Sequence, residues 1–158
     1  MTKQTLIHET TVHSRWLDYN GHMNDAAYAK VFSIAGGRVM DLIGLDAEAR
    51  ASYDYTMFTL EHHICYLKEV HETETLRTSV QLLDRDAKRI HLFFEMKNKA
   101  GDIVATSEQM LMGIDSVKRK SAPFPAHVEQ AVQKMWTTHK ELPVPKLAGS
   151  KIGIKRKS

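Results

Sequence analysis

The hydrophobic positions change period as the chain proceeds. Residues 5–13 alternate loosely and are rich in β-branched side chains, which predicts a strand. Residues 14–24 are largely polar and contain Gly21, which predicts a loop. Apolar side chains then return at helical spacing. Tyr28, Phe32, Ala35, Val39 and Leu42 form one stripe that should face a sheet. Asn24 is a good N-cap for that helix, and Asp25 falls in the first turn, where the helix dipole favours a negative charge. Gly44 is a natural stop. Gly36 and Gly37 interrupt the stripe and read either as points of close backbone approach or as simply tolerated.

Beyond the helix the period becomes two. Residues 56–67 and 73–83 read as strands, and residues 84–88 as a polar turn. Ile90, Leu92, Phe94 and Met96 alternate with His91, Phe93, Glu95 and Lys97, a strand signature. Residues 98–102, with Gly101, predict a second turn, and residues 103–117 a further strand. Pro123 and Pro125 end it, Ala126–His139 reads as a short helix, and an irregular tail follows from about residue 143. The short turns make the last three strands antiparallel neighbours. A helix with one apolar face must lie against that sheet. The fold class is therefore α+β, one long helix wrapped by a curved antiparallel sheet; a sandwich with the helix placed elsewhere is the alternative.

Composition narrows the class. A chain of 158 residues fits one domain with its own core, and no repeat or linker divides it. Cys65 is the only cysteine, which excludes an intramolecular disulfide and suits a reducing, cytoplasmic setting. Residues 1–11 lack a signal-peptide core, and no apolar run is long enough to cross a bilayer. The net charge is only +3, but Lys118, Arg119 and Lys120, and then Lys155, Arg156 and Lys157, form basic clusters. They read as a phosphate-binding surface or as a solvated turn and tail. Without a recognisable motif or interleaved aromatics they do not point to nucleic acid.

The candidate chemistry lies in the loop before the helix: Asp18, Tyr19, Asn20, Gly21, His22, Met23 and Asn24. The first-turn N–H groups of a helix lack intrahelical partners and can stabilise a thioester or other carbonyl oxygen as it becomes negative. Asp18 supplies a carboxylate beside them, to attack a carbonyl or activate water. Asn20 can hold water or the carbonyl, and His22 can orient Asp18 or carry a proton. Each has a plainer reading: Asn24 as a simple N-cap, Gly21 as a turn residue, His22 as structural and Asp18 as the cap of its own turn.

Asp18-x-Asn20-x-His22-x-Asn24, followed by Tyr28 and Phe32, resembles hotdog-fold thioesterases of the 4-hydroxybenzoyl-CoA thioesterase-like group. Its first five residues also resemble the active-site motif of plant-type acyl-carrier-protein thioesterases. A longer resemblance, to betainyl-CoA thioesterases including those fused to some L-carnitine dehydrogenases, runs through residues 16–24. It continues in Phe58-Thr59-x-Glu61-x-His63-Ile64-x-x-Leu67-x-Glu69-Val70 and in Ala105-Thr106-x-Glu108-x-Met110-Leu111. It ends in Leu142-Pro143-x-Pro145 with Ala148-Gly149. Gln109, Cys65 and Asp25 depart from the residues common there.

The resemblance implies a hotdog acyl-CoA thioesterase without metal or organic cofactor, working as a homodimer or a tetramer built of dimers. It implies Asp18 as the catalytic carboxylate, assisted by Asn20, His22 and Asn24, with the backbone N–H at Asp25 in the oxyanion hole. Glu61, two residues from His63 on one face of a strand, is a candidate second carboxylate supplied by the partner subunit, or else an ion-pair or rim residue. Adjacent His62 points the other way, so His62 and His63 make a poor metal pair. Trp16, Tyr19, Tyr28, Phe58, His63 and Glu108 are the expected substrate contacts. A trimethylammonium acyl group calls for aromatic and acidic surfaces, for which Tyr53 and Tyr55 are also near in sequence. The acyl group implied is betainyl, with a short- or medium-chain or aryl acyl-CoA as the alternative; rival readings of another class are a hotdog enoyl-thioester hydratase or dehydratase and a non-catalytic acyl-CoA-binding module.

Overall fold

The computed structural model describes residues 3–157. Strand β1, Thr5–Thr11, is followed by a 3-10 turn, Ser14–Trp16, and by helix α1, Asp25–Leu42. Helix α2, Ala47–Tyr53, leads into β2, Tyr55–Tyr66. Strands β3, Thr75–Arg85, β4, Arg89–Lys97, and β5, Ile103–Asp115, come next. The two-residue β6, Lys120–Ser121, and helix α3, Ala126–His139, complete the order.

β3, β4 and β5 are consecutive antiparallel neighbours, as their short turns require. Each turn has a polar clamp. Asp86 Oδ1 accepts from the backbone N–H of Lys88 and Arg89 at 2.9 and 2.6 Å. Asn98 Oδ1 accepts from Asp102 N at 3.0 Å, with Gly101 beside it at φ 88°. The sheet order is β1-β3-β4-β5-β2, with β6 beside β5, and the sheet curls about α1. This is the hotdog arrangement.

The core lies between α1 and the concave face. Tyr28, Val31, Phe32, Ala35 and Val39 are buried against a floor that includes Leu76, Val80, Leu92, Phe94 and Met96. The Phe32 ring sits 6.3 Å from Phe94 on β4. Burying each large side chain of this kind stabilises the fold by about 1.5–3 kcal/mol.

Several expectations are corrected. Leu42 is half exposed, and buried Ile43 and Leu45 carry the apolar surface onward past the helix end. Gly37 faces open space, whereas a Cβ on buried Gly36 would meet Gln109 Oε1 at an ordinary 3.5 Å. Both glycines are therefore tolerated rather than required by close approach. Asp84 and Arg85 belong to β3, while β1 stops at Thr11 and β5 at Asp115. Helix α2 and strand β6 are too short for periodicity to reveal.

A bulge in β2 decides which side chains face out. Thr59 pairs with Leu111 and Glu61 with Met110, so Leu60 is an extra residue and the faces swap there. Tyr55 and Met57 are buried before it. After it, His62 turns toward α1, 6.3 Å from the Phe32 ring, and Glu61, His63 and Cys65 take the outer face.

Candidate active site

The loop from Leu17 to Met23 is closed on itself. Leu17 and Met23 form an antiparallel bridge, Asp18 N donates to His22 O at 2.8 Å, and Gly21 N donates to Asp18 O at 3.0 Å. Gly21 takes φ 77°, the left-handed conformation that glycine adopts without steric cost. The turn is anchored by Met23 N donating to Val70 O at 2.8 Å. Asn24 Oδ1 caps α1 by accepting from Ala27 N at 2.9 Å, while its Nδ2 donates to Trp16 O at 2.7 Å. Both ends of the Asn24 amide are thus committed to holding loop and helix together. Trp16 is buried beneath them.

Asp18 sits at the head of this turn. Its Oδ1 accepts from Asn20 N at 2.8 Å and from His22 N at 3.2 Å. Asn20 thus orients the carboxylate through its backbone, with its side chain exposed at the tip. Tyr19, at 98 % exposure, projects into solvent and does not line the cleft beside Asp18. Ala26 N donates to Asp25 Oδ1 at 3.0 Å and Ala27 N to Asn24. Among the described residues the Asp25 N–H is then the first-turn amide left without an acceptor.

Asp18 opens onto a cleft of about 360 Å³ that Asp18, His22, Asp25, Tyr28, Tyr66 and Glu69 help to line. His22 Nε2 lies 3.3 Å from Glu69 Oε2. Tyr28 and Tyr66 meet edge to face at 5.1 Å. Burial, then the negative charges of Glu74 and Glu69 and the neighbouring Tyr66, push the Tyr28 hydroxyl up to about 12. Burial and then Asp25 also raise Tyr66. Both hydroxyls stay protonated at neutral pH and donate, Tyr28 to Lys68 O at 3.2 Å and Tyr66 to Asp25 O at 3.3 Å. Lys68, also in the lining, pairs with Asp102 at 3.0 Å. Three carboxylates and two aromatic rings leave a negative, partly apolar wall.

The other expected contacts lie elsewhere on the chain. Glu61, His63 and Glu108 line a second cavity of about 760 Å³ beside the open edge of β2, with Gly149, Ser150 and Ile152 also at its wall. Tyr66 lines both cavities. Glu108 Oε2 bonds His91 Nε2 at 2.6 Å and its Oε1 accepts from Gly149 N at 2.7 Å, tying the tail to the sheet. Glu61 is five residues before Tyr66, about 17 Å along the strand, and Phe58 is farther, so neither reaches Asp18 within one chain. Tyr53 stacks on His127 at 4.7 Å, and Tyr55 donates to Ala122 O at 2.8 Å. Both belong to the opposite end of β2 and contribute nothing to the cleft. Tyr66 was not singled out from the sequence, and Glu69 entered only as part of the longer resemblance. The chain returns beside the loop after β2, where His22 and His71 form an antiparallel bridge.

The sequence profile of the Thioesterase-like superfamily matches residues 12–132. The chain belongs to this family. The thioesterase is 39 % identical to a betainyl-CoA thioesterase of Pseudomonas aeruginosa over 98 % of both chains. It is 38 % identical to an L-carnitine dehydrogenase/betainyl-CoA thioesterase of Rhizobium meliloti, covering 94 % of this chain and 30 % of that longer one. It superposes with TM-score 0.91 and 33 % identity on a hypothetical protein of Staphylococcus aureus solved in complex with CoA, covering 98 % and 99 % of the two chains. A putative thioesterase of Pseudomonas putida gives TM-score 0.85 at 33 % identity, over 99 % of this chain and all of that one. The protein is a thioester hydrolase. Among the described residues no helix is long and apolar enough to cross a membrane.

Proposed function

We propose that this thioesterase hydrolyses betainyl-CoA to betaine and CoA in carnitine degradation, as a cytoplasmic homodimer. The observation that carries the mechanism is the Asp18 carboxylate, held through Oδ1 by two loop amides beside an unpartnered helix N-terminal N–H. Asp18 takes a proton from water, and the hydroxide attacks the thioester carbonyl carbon. The Asp25 N–H receives the developing oxyanion. As the C–S bond breaks, the proton passes to the departing thiolate, with His22, beside Glu69, as the relay. Asn20 and Asn24 act by position, the first through its N–H to Asp18 and the second through the cap.

The acyl group is supported by full-length likeness to a betainyl-CoA thioesterase and by the character of the cleft. A trimethylammonium cannot donate N–H hydrogen bonds and is attracted to aromatic faces and negative charge. Tyr66, with Asp25 and Glu69 nearby in the wall, offers both.

The dimer is supported by β2, an edge strand that exposes Phe58, Leu60 and Tyr66, with exposed Leu67 just beyond its end. Antiparallel pairing of β2 with a second copy lays Phe58 and Glu61 of the partner subunit toward this chain's Tyr66, and so toward Asp18. That would bring two of the displaced expected contacts from across an interface.

Thiol release from betainyl-, acetyl-, butyryl-, long-chain acyl- and benzoyl-CoA tests the reading. Release fastest from betainyl-CoA is expected. Broad release refutes the specificity, and no release from any refutes the hydrolysis. A burst of thiol equal to the enzyme concentration would instead assign direct attack by Asp18.

A further inference from the structure

His22, Glu69 and His71 come from two segments that the fold lays side by side. His22 and His71 are directly opposed in an antiparallel bridge, so their side chains share a face. Their rings meet at 4.9 Å. Glu69, two residues before His71, reaches the same side and approaches His22 Nε2 at 3.3 Å. One ligand atom from each of the three lies within 4.8 Å of the others.

The backbone beneath them is fixed on both strands. Met23 N donates to Val70 O at 2.8 Å, and His71 N donates to Glu74 Oε2 at 2.6 Å. Val70 is fully buried between Glu69 and His71. The cluster is therefore preorganised in its backbone, with His22 partly buried and the Glu69 and His71 side chains exposed and free to adjust.

That spacing suits a transition metal. Two ligand atoms, each about 2.1 Å from a tetrahedral zinc ion, lie about 3.4 Å apart. The His22–Glu69 separation already matches. Rotation of the exposed Glu69 and His71 side chains brings the third ligand in. Two imidazoles and one carboxylate are a borderline-soft donor set that leaves a coordination position open.

We propose that His22, Glu69 and His71 form a divalent transition-metal site at the mouth of the Asp18 cleft, and that zinc held there inhibits the enzyme by occupying His22 Nε2. Binding is independent of the mechanism proposed above; the inhibition rests on the part given there to His22.

The test is calorimetric titration of the full chain with zinc chloride, beside His71→Ala and Glu69→Gln. One ion per chain at micromolar affinity is expected, weakened at least tenfold by each substitution. No binding below millimolar zinc, or affinity unchanged in both variants, overturns the site. In the thiol-release assay zinc should slow the wild type, reversibly with EDTA. His71→Ala, which retains its zinc-free rate, should escape that inhibition. Zinc that binds yet leaves turnover untouched overturns the inhibitory role. An absence of turnover on every thioester would instead count against the proposed function, with the binding result still standing.

Discussion

Replacing Asp18 by Asn separates what this carboxylate does for the loop from what it does for the reaction. Oδ1 accepts two backbone N–H groups, from Asn20 and His22. An Asn amide oxygen in the same place can accept both, so the turn survives. What is lost is the negative charge and the basic oxygen. A positioned general base contributes roughly 10²- to 10⁴-fold, or about 3–5 kcal/mol of barrier. Asp18→Asn should therefore lower kcat at least a hundredfold while melting within about two degrees of wild type. Asp18→Ala removes the acceptor as well. Two partly exposed hydrogen bonds at about 0.5–1 kcal/mol each amount to about 1–2 kcal/mol. At about 2–4 °C per kcal/mol for a chain of this length, its Tm should fall by several degrees. The assay is thiol release on betainyl-CoA, paired with thermal unfolding of all three proteins. An Asn variant within tenfold of wild-type kcat refutes the catalytic assignment. An Ala variant that melts with the Asn variant refutes the claim that the carboxylate clamps its own loop.

Tyr66→Leu keeps apolar bulk but removes the aromatic face from the cleft. A half-exposed cation–π contact is worth about 1 kcal/mol, so kcat/KM for betainyl-CoA should fall about fivefold relative to tert-butylacetyl-CoA, the isostere with carbon in place of the quaternary nitrogen. An unchanged ratio removes Tyr66 from substrate recognition. His139 is buried, its Nδ1 accepts from Leu82 N at 2.9 Å, and burial holds it below the ordinary histidine value. Its contribution is full above about pH 6.5 and is lost as the pH falls from there through the depressed folded value, because the unfolded chain takes up the proton first. Tm should drop across that window, and a His139 NMR titration midpoint at or above 6.5 would contradict the account. Gly113→Ala would set a Cβ 1.6 Å from the Tyr55 hydroxyl oxygen and 3.0 Å from Ala122 O. Forcing Tyr55 off its bond to Ala122 should cost about 1–3 kcal/mol, read as a lower denaturant midpoint; a variant as stable as wild type would show that β6 yields easily.

The long elements were legible because each is dominated by one period. The α1 stripe and the Ile90–Met96 alternation each bury one face, and α3 lies at Ala126–His139 as expected. Periodicity is silent on what depends on register. The β2 bulge at Leu60 cannot be read from a run in which Phe58, Leu60 and Ile64 are all apolar, yet it sets the outward faces of Glu61 and His63. Exposure at Leu42 follows from where the sheet ends, a tertiary fact. Nearness in sequence likewise misplaced Tyr53 and Tyr55, because a strand of 12 residues carries its first member about 36 Å from its last.

The Asp18 loop was legible for a different reason: its residues serve structure and chemistry together. A tight turn needs Gly21, a helix start needs Asn24, and a carboxylate that accepts its own turn's amides is thereby aimed. Local sequence can encode such a unit whole. The wall opposite cannot be encoded locally, since Tyr66 and Glu69 arrive about fifty residues later through the course of β2 and the bridge between His22 and His71. Single-chain geometry also leaves Glu61 and Phe58 remote from Asp18 while leaving the edge of β2 open. The edge that leaves its backbone and apolar side chains open is also the one whose covering, by a second copy, would complete the cleft. Assembly and catalysis should therefore fail together: a charge or proline placed at Leu60 should yield a monomer, and that monomer should lose turnover although every residue of its Asp18 loop is intact.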